Sequence, residues 1–254
     1  MHIAITGASR GIGRALAELY AEPGVRLTLL ARTEEGLAGT VSRCEAGGAV
    51  VSVAGVDLCD AEAVVAWFNG AEEAAPVDLL VANAGVFDGH GADGCLETPA
   101  EARRLVDINV TGTIATVQAA IPSMRRRKSG HIAIVSSLAA LLPAADAPTY
   151  GATKAALLAY GEALRLLLAD DGVAVSVILP GHVRTDQTAR HVGPLAFAIN
   201  ADQAARRIKA GLARRRGMIA FPRRAHWLVR GAILLPAPLR RRALAGDRFH
   251  VRKP

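Results

Sequence analysis

The chain has 254 residues, 51% hydrophobic and 4% aromatic, with 25 glycines. It can bury a sizeable core as one large domain or two small ones, and its composition suits helices packed tightly on a sheet more than a β-sandwich. The net charge of +7 is uneven: 15 of the 30 basic and 2 of the 23 acidic residues lie from Asn200 onward, so that segment carries +13 and the rest −6. The three cysteines, Cys44, Cys59 and Cys95, are odd in number and far apart. They match no metal or redox spacing and read as free thiols in a reducing compartment, which predicts a cytoplasmic protein without a metal site.

Apolar runs alternate with helix-patterned segments along the chain. "HIAIT" precedes "GRALAELYAE", "VRLTLLAR" precedes "TEEGLAGTVSRCEAGG", and "AVVSVAGVDL" precedes "DAEAVVAWFNGAEE". "VDLLVANAG" comes before the helical stretch "PAEARRLVDINVTGTIATVQAAIPSMRRR", "GHIAIVSS" before "PTYGATKAALLAYGEALRLLLADDG", and "VAVSVILPG" closes the series. Such alternation predicts βαβ units and a parallel sheet, doubly wound with helices on both faces in three αβα layers. Runs such as "VAVSVIL" fit strands covered on both faces. The opening "MHIAITG" already reads as a strand rather than a leader. The late run "GAILLPAPL" is too short and too proline-broken to span a bilayer. No composition break appears before about Gly181. We therefore expect one Rossmann-like domain over 1–254, with a cofactor-binding and catalytic core over 1–186 and a substrate lid and basic helical tail over 187–254.

The stretch "ITGASRGIGRALAEL" places Gly7, Gly11 and Gly13 between the first strand and its helix. A sharp strand-to-helix turn leaves backbone N–H groups and a helix dipole facing one point, an anion site that glycines let a pyrophosphate approach. The spacing "TGASRGIG" resembles the TGxxxGxG motif of the short-chain dehydrogenase/reductase family. Further signatures follow in order: "NAG" at Asn83–Gly85, "NVTG" with Asn109, "IVSS", "YGATK" with Tyr150 and Lys154, and "PGHVRT" at Pro180–Thr185.

Tyr150 and Lys154 stand four apart on a predicted helix and share a face. A free tyrosine titrates near ~10, and an ammonium at ~4 Å attracts its phenolate by ~4 kcal/mol before desolvation opposes it. This predicts a Tyr150 pulled toward working pH. The resemblance implies that Tyr150 exchanges a proton with the substrate oxygen and that Lys154 also holds the nicotinamide ribose. It implies that Ser137, thirteen residues before Tyr150 and favoured over Ser136, bonds that oxygen. Asn109 would hold a water that relays protons from Lys154.

The second strand ends "LLARTEE", with Ala31 where an NAD-preferring enzyme places an acid. Arg32 follows, and Arg10 lies in the glycine turn; two guanidiniums suit a ribose 2′-phosphate, so NADP(H) is expected over NAD(H). Glu34 and Glu35 are expected to begin the next helix. The resemblance adds Ser9 and Ile12 in the turn, Asp57 and Leu58 at the adenine, Asn83, Ala84 and Gly85 beside the adenosine, and Pro180, Gly181, Val183 and Thr185 around the nicotinamide. His182, His191, Leu195, Phe197, Leu138, Leu142 and Phe87 are candidate pocket residues that name no substrate.

The expected activity is hydride transfer between nicotinamide and a small or lipophilic carbonyl or alcohol, and the resemblance implies a homodimer or homotetramer joined through the helices that carry Asn109 and Tyr150. The rival is a non-catalytic dinucleotide-binding regulator or scaffold. For the arginine-rich tail three readings stay open: a cap on the body, a membrane-surface contact, or nucleic-acid binding, the last opposed by few aromatics and no reader motif.

Overall fold

The computed structural model describes residues 1–142, 144–244 and 249–252. Seven parallel strands form the central sheet: β1 (His2–Thr6), β2 (Arg26–Ala31), β3 (Val50–Gly55), β4 (Leu79–Ala82), β5 (Gly130–Val135), β6 (Val173–Pro180) and β10 (Met218–Phe221). Their order is β10-β6-β5-β4-β1-β2-β3. The direction of winding reverses between β1 and β4, which opens a crevice at the carboxyl ends of the strands.

Alternate residues of each buried strand face opposite layers. Ile3, Ile5, Leu27, Leu29 and Val81 join one core with Leu16 and Tyr20 of α1 (Gly11–Tyr20), Cys44 of α2 (Ala38–Ala46), and Ile208 and Leu212 of α7 (Ala201–Ala213). Ala4, Leu30, Leu80, Ile132 and Ile134 join the other with Trp67 and Phe68 of α3 (Ala61–Ala74), Val117 and Met124 of α5 (Thr113–Arg126), and Leu157 and Leu164 of α6 (Pro148–Leu167). The doubly wound three-layer expectation is met. Glu35 opens a short 3-10 turn before α2, so the two glutamates do begin the next helical segment.

Helix starts follow local chemistry. Asp60 Oδ1 accepts from the Ala63 N–H at 2.9 Å to cap α3. Thr98 and Glu101 close a capping box on α4 (Pro99–Val106), with Pro99 at its first position. Between α4 and α5 the predicted long helix is continuous but widens into a π-helical turn over Asp107–Gly112.

The tail departs from its expectation. Residues 201–221 are not an appended helical tail: α7 and β10 complete the sheet layer, and β10 runs parallel to β6. Two short ribbons follow from the lid, β7 (Val183–Arg184) with β9 (Ile199–Asn200), and β8 (His191–Val192) with β11 (His250–Val251). α8 (Arg223–Leu234) and α9 (Ala237–Leu244) come last among the helices, and no residue of α8 is fully buried. Among the described residues, no helix is long and apolar enough to cross a membrane.

Candidate active site

The turn after β1 is shaped by two glycines. Gly7 has φ +67, and a Cβ there would lie 2.8 Å from the Ala84 Cα. A Cβ on Gly13 would lie 2.3 Å from the Gly7 carbonyl oxygen and 2.5 Å from Asn83 Nδ2. Only hydrogen fits at Gly13, so α1 can pack directly beneath the turn. The Asn83 amide donates to the carbonyls of Thr6 (2.9 Å) and Gly7 (3.1 Å). Thr6 Oγ1 accepts from the N–H groups of Asn83 and Ala84, both at 3.1 Å. The turn is thus pinned to the end of β4. α1 itself begins without a side-chain cap or an acid in its first turn, which keeps the positive end of its dipole uncompensated.

A cleft of about 570 Å³ runs from this turn across the carboxyl ends of the strands. It is lined by Gly7, Ser9, Arg10, Gly11, Ile12, Arg32, Asp57, Leu58, Asn83, Ala84, Gly85, Ser137, Tyr150, Lys154, Pro180, Gly181, Val183 and Thr185. Of the expected site residues, Gly13 and Asn109 lie beneath the cleft wall rather than in it. Arg10 and Arg32 are both solvent-exposed at its rim. Asp57 Oδ1 accepts from the Cys59 N–H at 3.0 Å, which fixes the carboxylate at the loop after β3. Thr33, Gly36, Arg104, Ile108 and Gln187 also line the cleft. Nothing in the sequence near them signals it; Arg104 is brought there only by the course of α4 over the sheet.

At the other end stand the candidate acid/base residues. Ser136 is buried and donates to the Lys154 carbonyl at 2.7 Å, tying β5 to α6. Ser137 lines the cleft with Tyr150, accepts from the Ala139 N–H at 3.1 Å and donates to the Pro180 carbonyl at 3.5 Å. Both serines line the cleft, but the Ser136 hydroxyl is spent on the Lys154 carbonyl. Lys154 is buried, and its Nζ donates to the Val135 carbonyl at 3.1 Å.

The electrostatics correct the expectation of a lowered tyrosine. Lys154 Nζ lies 5.7 Å from the centre of the Tyr150 ring and is turned toward Val135. Burial pushes the Tyr150 phenol up, against a smaller downward pull from the Ser137 hydroxyl. Burial likewise lowers Lys154 to about 8. Desolvation outweighs the attraction within this pair of residues.

Asn109 is fully buried on the π-helical turn. Its Oδ1 accepts from the Val86 N–H at 2.7 Å, and its Nδ2 donates to the Val86 carbonyl (2.9 Å) and to Thr153 Oγ1 (3.2 Å). The side chain is therefore committed to holding the loop after β4 against α6, and a relay water at this residue would fall to the main chain.

Among the pocket candidates, Phe87 meets Tyr150 edge-on at 4.9 Å between ring centres, and His182 and His191 pack with each other. Leu138 is buried in a small core under the loop after Ser137. Phe197 departs from expectation: at φ +57 it is 46% exposed and is not among the residues that line the cleft. Among the described residues no group of three or more His, Cys, Asp or Glu could hold a metal.

A glycine-turned dinucleotide crevice with Ser137, Tyr150 and Lys154 at one end defines an α/β oxidoreductase that acts on alcohol and carbonyl groups. The chain belongs to the short-chain dehydrogenase family, whose model matches residues 1–193. It is 36% identical over 237 residues to an uncharacterized oxidoreductase of Myxococcus xanthus, covering 92% of each chain. It is 33% identical to a 3-dehydrosphinganine reductase of Arabidopsis thaliana, over 70% of this chain and 54% of that one. Among solved structures, a short-chain dehydrogenase from Sphingobium yanoikuyae in complex with NADPH superposes with TM-score 0.79 at 28% identity, covering 97% of this chain and 96% of that one. One from Burkholderia phymatum in complex with NAD gives 0.81 at 27%, covering 90% and 91%.

Proposed function

We propose that this protein is an NADP(H)-dependent oxidoreductase of a small or lipophilic carbonyl or alcohol, with Tyr150 as general acid/base. The observation that carries it is the single cleft with Arg10 and Arg32 at one end and Ser137, Tyr150 and Lys154 at the other. The chain fits a dinucleotide: the cradle at Gly7 and Gly13 has no room for a Cβ, and α1 starts uncapped. Gly7–Gly11 and α1 would hold the pyrophosphate, Arg10 and Arg32 the 2′-phosphate, and Lys154, Pro180, Gly181, Val183 and Thr185 the nicotinamide end. Bound there, the nicotinamide supplies or accepts the hydride. The Tyr150 hydroxyl gives its proton to the substrate oxygen during reduction and takes one during oxidation. Ser137 holds that oxygen, and the Lys154 ammonium restrains the phenolate that results. The Asn109 segment would pass the replacement proton.

The test is cofactor affinity, by fluorescence titration, in wild type and Arg32→Ala. Tight NADPH binding that weakens selectively in the variant is expected; equal NADPH and NADH affinities, unmoved by the substitution, would sink the cofactor assignment. NADPH binding without oxidation across a broad carbonyl panel would instead favour the regulator reading. Self-association would run through the α5 and α6 faces, where Leu166 and Leu167 stand 74% and 63% exposed.

One observation favours a lipid surface as a second partner. On α8, Ala225, His226, Val229 and Ala232 turn toward the body, while Trp227, Leu228, Gly231 and Leu234 form an outward stripe at helical spacing. Trp227, Leu228 and Leu234 are 64%, 61% and 85% exposed, with Leu239 of α9 at 56%. Arg223, Arg224, Arg230, Arg240, Arg241 and Arg242 flank them, and 203–246 holds no acid. Two copies of such a surface repel, whereas anionic headgroups complement it. The sphingoid substrate class in the name of one relative agrees with a lipophilic substrate. Sedimentation with phosphatidylserine vesicles, but not with phosphatidylcholine vesicles, is expected, and Trp227→Glu/Leu234→Glu should abolish it. Truncation is unsuitable because it endangers β10; equal sedimentation of wild type and double variant would remove α8 and α9 from the reading.

A further inference from the structure

The last described segment, 249–252, comes back beside Phe87, one ring away from the cleft-lining Tyr150. β11 pairs antiparallel with β8 of the lid, His250 against Val192 and Val251 against His191. The Val251 N–H donates to the His90 carbonyl at 2.9 Å, and the Arg252 N–H to the Arg190 carbonyl at 2.8 Å. Val251 is fully buried, and a Cβ on Gly89 would come within 3.1 Å of its Cγ2.

The clamp at the start of this strap is Asp146, 1% exposed and four residues before Tyr150. Its Oδ2 accepts from the Phe249 N–H at 2.9 Å, its Oδ1 pairs with His90 Nε2 at 2.8 Å, and its carbonyl accepts from the His90 N–H at 2.9 Å. One buried carboxylate thus joins the strap, the loop after β4 and the start of α6.

What the strap delivers is a ring. Phe249 stacks on His191 at 4.3 Å and 25°, and lies 6.1 Å from Phe87. Phe87 in turn meets Tyr150 edge-on, and His191 meets His182, which follows the cleft-lining Gly181. An unbroken row of rings therefore runs from the acid/base tyrosine to the loop after β6. Three of the ten Phe, Tyr and Trp residues of the chain, with two of its seven histidines, gather at this one place.

We propose that residues 249–252 form the outer wall of the substrate end, and that Phe249 makes this wall select planar aromatic or conjugated carbonyl compounds. The proposal rests on the oxidoreductase reading for which end of the cleft receives substrate. Stacked and edge-on ring pairs add to burial a preference for flat partners that a saturated aliphatic substrate does not collect. Phe249 is a specificity residue that touches no reacting atom, and Asp146 positions it.

The test compares wild type, Phe249→Ala and Phe249→Tyr with 2-acetylnaphthalene and 2-butanone as paired probes. Phe249→Ala should raise KM for the naphthyl ketone about tenfold with kcat nearly unchanged. Butanone KM and NADPH affinity should stay within about twofold, and Phe249→Tyr should restore the naphthyl KM. An equal change for both ketones, or none for either, would overturn the proposal. Calorimetric binding of the naphthyl ketone to the cofactor-loaded protein reads the wall without turnover. Binding that depends on Phe249 with no hydride transfer would refute the reaction and keep the wall; binding indifferent to Phe249 would refute the wall.

Discussion

Lys154 should make the folded protein less stable than it would be with an apolar side chain. Burial lowers its amine from the ordinary 10.5 to about 8. In the unfolded chain the amine keeps its ordinary value. Each pH unit between the two titrations is worth ~1.4 kcal/mol, so below pH ~8 the fold carries a penalty of about 3 kcal/mol for holding this charge. Between pH ~8 and ~10.5 the unfolded chain binds a proton that the native chain has released, so stability rises with pH and the penalty fades. Lys154→Met removes it at every pH, at the loss of the hydrogen bond to Val135. Urea unfolding of wild type and Lys154→Met, at about pH 7 and about pH 9.5, measures the difference and cancels groups common to both. The variant should be the more stable at pH ~7, and its advantage should shrink by about 2 kcal/mol by pH ~9.5, where tyrosine ionisation in the unfolded chain is common to both proteins and cancels. An advantage that does not change with pH, or a variant less stable than wild type at neutrality, would refute the reasoning. If the sign holds, the group proposed to restrain the phenolate is kept at a cost to the fold.

Three other outcomes follow from the geometry. Gly13→Ala forces a methyl against the Gly7 carbonyl oxygen at 2.3 Å; stability should fall by about 1–3 kcal/mol in thermal unfolding, with cofactor fluorescence enhancement lost. Tyr150→Phe should lower kcat by ~10²–10⁴ while NADPH affinity stays within about twofold; turnover close to wild type would remove Tyr150 from the chemistry. His131 is driven down to about 4, chiefly by burial. Its Nε2 donates to Ser176 Oγ at 2.8 Å, because that hydroxyl's own proton goes to the Arg216 carbonyl at 2.7 Å. The unfolded chain therefore binds a proton between pH ~6.5 and ~4 that the native chain refuses. Stability should drop by about 3 kcal/mol over that window relative to His131→Gln, and parallel pH curves for the two proteins would contradict it.

The alternation of apolar runs and helical segments was enough to read six strands and their covering helices: five are buried along nearly their whole length and leave continuous hydrophobic stretches, and the mostly exposed edge strand β3 still reads as "VVSVAG". The seventh, β10, escaped because "MIAF" is four residues long and stands between arginine clusters, so its charge neighbourhood spoke louder than its burial. The glycine turn and the Tyr150–Lys154 helix were legible because each lies within one short segment. Spacing to Tyr150 was enough to favour Ser137 over Ser136, whereas the bond that occupies the Ser136 hydroxyl, to the Lys154 carbonyl, has no mark in the sequence. The elevated Tyr150 phenol required the orientation of Lys154 toward Val135. Arg104 in the cleft and Phe249 beside Phe87 are placed by chain paths with no local pattern.

The pinning of the glycine turn also has a consequence in time. The first thirteen residues hold the whole turn, yet the Asn83 amide that fixes it reaches Thr6 across 77 positions of sequence. β1 is flanked by β2 and β4, and its pairing with β4 must wait for that later strand. Pairings of this span close slowly. As the chain leaves the ribosome, its N-terminal strand and helix emerge early but remain an unfinished anion cradle until β4 docks. A dinucleotide therefore stabilises the product of folding without guiding its first steps.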